Sequence, residues 1–243
     1  MKLAGKVALV TGGAHRVGRS IVLALADEGC DVMVHFHQAR TEAEQTVRQA
    51  AQRGVQAHAI HADLRAPAGI EALFREADRL AGGLDILVNS AAILDPVDLL
   101  AATDADWSST IDLNLKAAFF CLQAAARRMQ ARGGGAIVNI SDVAGQRAWA
   151  RYPMHSISKA GLDMLTRSAA LILAPTIRVN GVAPGPVEKP ARLSAERWRQ
   201  LGEALPLRRP GTAADVAAAV VFCLENDYLV GETIPVDGGD LIR

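Results

Sequence analysis

The stretch Val7-Ala-Leu-Val-Thr11-Gly-Gly-Ala-His-Arg16-Val-Gly18 is an apolar run that leads into a glycine-bearing turn. The run predicts a buried strand, and the segment after the turn has apolar residues at helical spacing. Glycines let the backbone turn sharply and approach a diphosphate closely, while the amides and dipole of the following helix attract its negative charge. The stretch therefore predicts a strand–turn–helix unit that binds a dinucleotide.

The rest of the chain repeats this alternation. Runs rich in Val and Ile suit strands buried on both faces of a parallel sheet, and we predict strands at Val7–Val10, Asp31–Phe36, Val55–His61, Ile86–Val88, Ala136–Ile140, Arg178–Val182 and Thr233–Val236. Helical spacing of apolar residues predicts helices at Gly18–Glu28, Thr41–Arg53, Pro67–Ala81, Thr103–Arg132, Pro153–Leu173 and Ala213–Leu224. We therefore expect an α/β fold, a Rossmann-type doubly wound parallel sheet of about seven strands in a single domain, residues 1–243.

Composition narrows the function. Half of the 243 residues are apolar and the net charge is zero, which gives no reason to expect a nucleic-acid partner. The three cysteines are far apart in apolar surroundings, so we expect free buried thiols and neither disulfides nor a metal site. The apolar run near the N-terminus is too short to span a bilayer, and we expect a cytoplasmic protein without a membrane partner. The irregular, proline-containing stretch 184–207 follows a predicted strand and is the expected substrate lid.

The pattern Thr-Gly-x-x-x-x-x-Gly, with Gly12 and Gly18, resembles the short-chain dehydrogenase/reductase family. Further matches extend over essentially the whole chain: Asp63-Leu64, Asn89-Ser-Ala91, Asn114, Pro184-Gly185 and Val236-Asp-Gly-Gly239. The resemblance implies a nicotinamide dinucleotide cofactor, a small-molecule substrate, and a homodimer or, more often, a homotetramer. It implies cofactor contacts by Gly12, His15, Arg16, Val17, Gly18, Asp63, Leu64, Asn89, Lys159, Pro184 and Gly185.

The end of the second predicted strand bears on the choice between NAD and NADP. An acidic residue there would bind the ribose 2′-hydroxyl and repel a 2′-phosphate, but the chain reads Val34-His-Phe-His37-Gln-Ala-Arg40. Arg16, His37 and Arg40 supply cationic or donor groups that suit a phosphate. We predict that the cofactor is NADP(H), preferred over NAD(H) by at least about tenfold, roughly 1.4 kcal/mol.

The catalytic pair of the family is Tyr-x-x-x-Lys, in which the tyrosine protonates the substrate and the lysine assists it and holds the ribose. Here the segment reads Tyr152-Pro-Met-His155-Ser-Ile-Ser-Lys159, so the spacing ends on Lys159 but begins on His155. Two interpretations stay open: His155 donates or relays the proton, or the protein binds NADP(H) with little turnover and serves a regulatory or assembly role. Tyr152, which precedes a proline, is a weaker alternative donor.

The Arg in the glycine loop, the His-x-His of the second strand and Asp142 look like the pteridine-reductase branch of the family. In that branch an aspartate thirteen residues before the tyrosine replaces the usual serine, and Asp142 keeps that distance from His155. Ser141 is one residue out of register and remains an alternative. The position of the branch's ring-stacking aromatic holds Ile93, or Leu94 on a one-residue slip, and neither stacks a flat ring.

We expect Asp142, His155, Lys159 and Asn114 to be the catalytic residues. Asp142 would favour the protonated form of the histidine, and Lys159 lies one helical turn after it. Asn114 would interrupt its helix and connect Lys159 to solvent. The leading prediction is an NADPH-dependent reductase of a carbonyl or imine on a small polar substrate, with pterins among the candidates.

Overall fold

The computed structural model describes Met1–Arg243 and contains one sheet of seven strands, all paired in parallel. In chain order the strands are β1 (Val7–Thr11), β2 (Asp31–Phe36), β3 (Ala57–His61), β4 (Ile86–Asn89), β5 (Gly135–Ile140), β6 (Ile177–Pro184) and β7 (Thr233–Val236). Their spatial order is β3-β2-β1-β4-β5-β6-β7, so the order reverses between β1 and β4. In such sheets ligands bind in the crevice outside the carboxyl ends of the strands at this reversal.

Helices cover both faces of the sheet, which confirms the predicted fold class. They are α1 (Arg16–Asp27), α2 (Arg40–Ala51), α3 (Pro67–Ala81), α4 (Asp104–Ile111), α5 (Ala117–Ala131), α6 (Pro153–Leu173), α7 (Ala195–Glu203) and α8 (Ala213–Glu225). None of the helices combines the length and the apolar character that crossing a bilayer requires.

Alternate residues of each strand face opposite sides of the sheet and build two separate cores. Ala8 and Val10 of β1 pack with α1 and α8, whereas Leu9 packs with Leu73 and Phe74 of α3 on the other face. Leu9, Leu73 and Phe74 are essentially inaccessible, and burial of each such side chain contributes about 1.5–3 kcal/mol. These cores fix β1 and its neighbours, and the loops at their carboxyl ends, relative to one another.

The predicted boundaries agree with the observed ones to within two residues, except for the helix predicted at Thr103–Arg132, and helix α7 lies within the stretch 184–207 that was expected to be irregular. A π-helical turn, Asp112–Lys116, divides that predicted helix into α4 and α5. The interruption falls on Asn114, where the sequence led us to expect it. A π turn inserts one extra residue without ending the apolar stripe, so spacing alone does not reveal it.

Candidate active site

The glycine loop between β1 and α1 is shaped by close backbone contacts. A Cβ atom on Gly18 would lie 2.1 Å from the carbonyl oxygen of Gly12, and one on Gly12 would lie 2.9 Å from Cα of Ala91. Gly12 also has a φ of +65°, which a side chain disfavours. Helix α1 has neither a side-chain cap nor an acidic residue in its first turn. Its first amides are therefore available to an anion.

A buried histidine of β2 supports this loop. The Gly12 amide donates to Nδ1 of His35 at 3.0 Å, and Nε2 of His35 lies 3.1 Å from the carbonyl oxygen of Ala62. Since an amide can only donate, Nδ1 is the acceptor and Nε2 carries the hydrogen that Ala62 accepts. Burial lowers the pKa of His35 to about 4. The neutral ring thus ties the loop to the end of β3, a role that we did not predict from the sequence.

A crevice of about 410 Å³ opens beside the loop at the carboxyl ends of the first four strands. Eight of the residues predicted to bind the cofactor line it: Gly12, His15, Arg16, Val17, Gly18, His37, Asp63 and Leu64. His35, Phe36 and Arg65 also line the crevice and were not predicted from the sequence, and Ser90 and Ala91 of the segment after β4 line it as well. Arg65 lies two residues after Asp63 in the loop that follows β3. This position could have identified Arg65 as a crevice residue from the sequence.

The far end of the crevice is rich in basic side chains. His37 lies 3.9 Å and Arg65 4.0 Å from the carboxylate of Asp63, and the Asp63 carboxylate also accepts from the Arg65 amide at 3.0 Å. Arg40 does not line the crevice; its guanidinium covers the Phe36 ring, 5.4 Å from the centroid, and most of its side chain is exposed. The Asp63 carboxylate thus faces two basic side chains in the crevice, whereas Arg40 lies 4.0 Å from Glu44 of its own helix.

The segment after β6 reaches the glycine loop through one ion pair, in which Nε of Arg16 lies 2.8 Å from Oε2 of Glu188. Neither Pro184 nor Gly185 lines the large crevice. Gly185 packs against Asp237 and donates its amide to Val236. These two residues therefore fix the start of the segment 184–207, the predicted lid, to the strand end.

A second cluster forms where the π turn approaches the end of β4. Asn114 is 1% exposed; its Oδ1 accepts from the Ile93 amide at 2.9 Å, and its Nδ2 donates to the Ile93 carbonyl at 3.0 Å. The same Nδ2 lies 3.2 Å from Ser158 Oγ and 3.3 Å from His155 Nδ1. The π turn therefore directs the Asn114 amide to the loop after β4 and to α6.

His155 lies at the centre of this cluster and is 4% exposed. Its Nδ1 is 3.1 Å from the Ile93 carbonyl, and its Nε2 is 3.5 Å from Oδ2 of Asp142, beyond a strong hydrogen bond. The Trp149 ring stacks on the imidazole, with 6.4 Å between centroids. In the imidazolium form Nδ1 donates to Ile93 and Nε2 points its hydrogen at Asp142. Asp142 is held by the Ala144 amide, 2.8 Å from its Oδ1.

Lys159 follows one turn later on α6 and is buried. Its Nζ donates to the Ile140 carbonyl at 2.7 Å. Burial lowers its pKa to about 8, although the negative charges of Asp142 and Asp163 act in the opposite direction. A cavity of about 10 Å³, near the minimum that one water needs, is lined by Lys159, Asn114 and Asn89. This cavity joins the lysine to the asparagine that was predicted to link it with solvent.

Three further predicted or alternative residues lie apart from the imidazole. Asn89 donates to Asn139 Oδ1 at 2.9 Å and braces β4 against β5 without lining the large crevice. Ser141 donates to the Lys159 carbonyl at 3.4 Å. The hydroxyl of Tyr152 accepts from Arg192 of the segment 184–207 at 2.8 Å, and that guanidinium also lies over its ring. Tyr152 therefore contacts the predicted lid.

Several known proteins are similar to this chain over almost its whole length. Residues 12–240 match the family model described as enoyl-(acyl carrier protein) reductase. A 3-oxoacyl-(acyl-carrier-protein) reductase of Staphylococcus aureus is 38% identical over 239 residues, which cover 96% of this chain and 97% of that protein. A 2-dehydro-3-deoxy-D-gluconate 5-dehydrogenase of Escherichia coli is 36% identical over 250 residues, which cover 99% of this chain and 97% of that protein.

Solved structures show the same fold over the full length. An acetoin dehydrogenase from Enterobacter cloacae is 34% identical with a TM-score of 0.91, and the match covers 100% of this chain and 96% of that one. A blue fluorescent protein from a metagenomic library, crystallised with NADPH, is 33% identical with a TM-score of 0.90, and the match covers 98% and 99%. A protein named as a dehydrogenase and a protein that binds NADPH thus share this architecture.

Proposed function

Since the chain belongs to the short-chain dehydrogenase/reductase family, we propose that it is an NADPH-dependent reductase of a carbonyl or imine on a small polar substrate, with His155 in the place of the family's tyrosine. The observation that carries the proposal is the juxtaposition of His155 with Asp142, Asn114 and the buried Lys159. The relatives that are named as reductases and dehydrogenases support the reaction class.

The crevice suits NADP(H), a dinucleotide that carries a 2′-phosphate in addition to its diphosphate. The glycine loop and the uncapped start of α1 would hold the diphosphate. His37 and Arg65 would favour a 2′-phosphate at the other end of the crevice, and Arg40 lies beside that end, over the ring of the lining residue Phe36. The structural neighbour that binds NADPH supports this choice of cofactor. When bound, NADPH supplies the hydride.

The imidazole would supply the proton through Nε2. Nδ1 is tied to the Ile93 carbonyl, whereas buried Nε2 has no hydrogen-bond partner. Asp142 lies on that side, 3.5 Å away, so a proton on Nε2 would be held there for transfer to the substrate oxygen or nitrogen that is to be reduced. The Lys159 ammonium would bind the ribose, and Asn114 would carry the proton path toward solvent.

The substrate would enter between the loop after β4, Tyr152 and the lid. Ile93 and Leu94 flank this entrance and offer no aromatic face, while Trp149 stacks on His155. The pteridine-reductase-like features, Arg16 and Asp142 among them, make pterins one class to assay, together with quinones, ketones and imines.

The chain would act as a homodimer or homotetramer. Large apolar side chains are exposed on α4, α5 and α6, a pattern expected of faces that pair across a two-fold axis: Trp107, Phe119, Phe120, Ile157 and Met164. Light scattering on the purified protein would give the mass of the assembly directly.

A second function is an NADP(H)-binding protein with little or no turnover, in a regulatory or assembly role. The observation that favours it is the enclosure of His155, which is 4% exposed and whose Nε2 is held 3.5 Å from a carboxylate. In that case the crevice and Lys159 would bind cofactor without a proton donor.

Titration with NADPH and NADH, followed by NADPH oxidation with the four substrate classes, tests both functions. For the reductase we expect tighter binding of NADPH than of NADH. Turnover should be lost in His155→Ala. It should be kept in the control His58→Ala, which removes a half-buried histidine of β3 outside the site. Binding without turnover that is converted into turnover by His155→Tyr would favour the second function. Equal affinity for the two cofactors would refute the NADP preference.

A further inference from the structure

The ion pair between Arg16 and Glu188 connects two parts of the cofactor crevice. Arg16 begins α1 with a φ of +53°, in the left-handed region that non-glycine residues rarely occupy. Arg16 lines the crevice, and its guanidinium lies 2.8 Å from the Glu188 carboxylate. Glu188 belongs to the segment that follows β6 and is about one-quarter exposed. The pair thus joins the glycine loop to the first part of the lid.

This carboxylate lies beside the place where the cofactor's phosphates are expected. The free amides of α1 and the Arg16 guanidinium form the positive end of the crevice. A carboxylate and a phosphate on the same guanidinium would repel each other in a partly desolvated site. Bound phosphate and the observed position of Glu188 are therefore alternatives.

We propose that Glu188 pairs with Arg16 in the cofactor-free protein and thereby lowers the affinity for the cofactor. The diphosphate of the cofactor displaces Glu188 from Arg16. Arg16 exchanges one anion for another, so cofactor binding separates the start of the lid from the glycine loop. The inference rests on the proposed use of a nicotinamide dinucleotide, but not on turnover.

The exchange predicts that removal of the carboxylate charge tightens binding. Glu188→Gln keeps the size and an oxygen acceptor for Arg16 while removing the competing charge. Because both side chains are partly exposed, the pair is screened by solvent. We therefore expect a gain in NADPH affinity of roughly fivefold, which corresponds to about 1 kcal/mol.

Glu196 offers a matched control. It is also a lid carboxylate, but it pairs with Arg199 of its own helix α7, 2.8 Å away, and not with the glycine loop. Glu196→Gln removes the same charge from the lid without freeing Arg16. Arg16→Gln and the double variant Arg16→Gln/Glu188→Gln complete a cycle that isolates the coupling of the two residues.

The test is fluorescence titration of each variant with NADPH at about 0.02 M and about 0.3 M salt. We expect Glu188→Gln to bind NADPH more tightly at low salt, the gain to shrink at high salt, and Glu196→Gln to bind like the wild type. In the Arg16→Gln background the Glu188 substitution should change nothing.

Unchanged or weaker binding in Glu188→Gln, or an equal gain in the Arg16→Gln background, would overturn the exchange while leaving the proposed reductase intact. A protein that binds NADPH with the predicted pattern but turns over no substrate would refute only the reductase. A wild-type protein that binds no nicotinamide dinucleotide would overturn both.

Discussion

Acid conditions should destabilise this protein through His35, the buried imidazole that supports the glycine loop. Its pKa is lowered to about 4 in the folded chain, against an ordinary value of 6.5. Between these values the unfolded chain binds more protons than the folded one, so stability falls as the pH falls from about 6.5 toward about 4. This difference in proton binding lowers the free energy of unfolding by about 2 kcal/mol when the pH falls from about 7 to about 5.

The substitution His35→Asn removes this titration and keeps an acceptor near the Nδ1 position for the Gly12 amide. We expect the variant to be less stable than the wild type at neutral pH, because the hydrogen bond to Ala62 is lost. The free energy of unfolding of the wild type minus that of the variant should decrease by about 2 kcal/mol when the pH falls from about 7 to about 5.

Equilibrium unfolding in urea at several pH values measures this difference. His58→Asn, a substitution of a half-buried histidine of β3, is the control and should follow the wild-type pH dependence. NADPH affinity gives a second measurement: protonated His35 would present a donor to the Gly12 amide, so wild-type affinity should decline in acid more steeply than that of His35→Asn. Parallel stability curves for the wild type and His35→Asn would refute the role assigned to the neutral ring.

Three further predictions concern the loop, the lysine and the C-terminal end. Gly18→Ala places a Cβ atom 2.1 Å from the Gly12 carbonyl oxygen, so NADPH affinity measured by titration should fall by at least about tenfold, roughly 1.4 kcal/mol; unchanged affinity would contradict the close packing of the loop. Because burial lowers the pKa of Lys159 to about 8, the reductase rate should fall as the pH rises through about 8. Lys159→Arg stays charged and should shift this decline to higher pH. The same pH–rate profile in both proteins would exclude the lysine as the origin of the decline. Asp240 is buried and pairs with Arg147 at 2.8 Å and with Arg243 at 2.6 Å. Asp240→Asn should therefore lower the free energy of unfolding in urea by about 1–2 kcal/mol. A smaller change would show that solvent satisfies the two partly exposed arginines.

The order and type of the elements could be predicted from the sequence because most strands of this sheet are buried on both faces and therefore have apolar runs. Asp31–Phe36 and Thr233–Val236 were placed at their observed ends. The helix break at Asp112–Lys116 was not visible in the spacing, since the apolar stripe continues through it. Only the asparagine within it pointed to the interruption.

The candidate site was predictable where its residues follow strands directly, as the glycine loop, Asp63 and the segment Asp142–Lys159 do. Contacts between distant segments were not predictable. The bond from Gly12 to His35 depends on the register of β1 with β2, in which Val10 is opposite Val34. The pairing of Arg16 with Glu188 depends on the path of the lid, which no periodic pattern specifies.

In the proposed function, His155 supplies or relays a proton in an NADPH-dependent reduction. The most direct test is the single-turnover rate of NADPH oxidation by the wild type and by His155→Ala, with each substrate of the panel of pterins, quinones, ketones and imines. We predict that the substitution lowers the rate by about 10²–10⁴-fold, as expected for a general acid, while NADPH affinity stays nearly unchanged. Equal rates in the two proteins would contradict the claim.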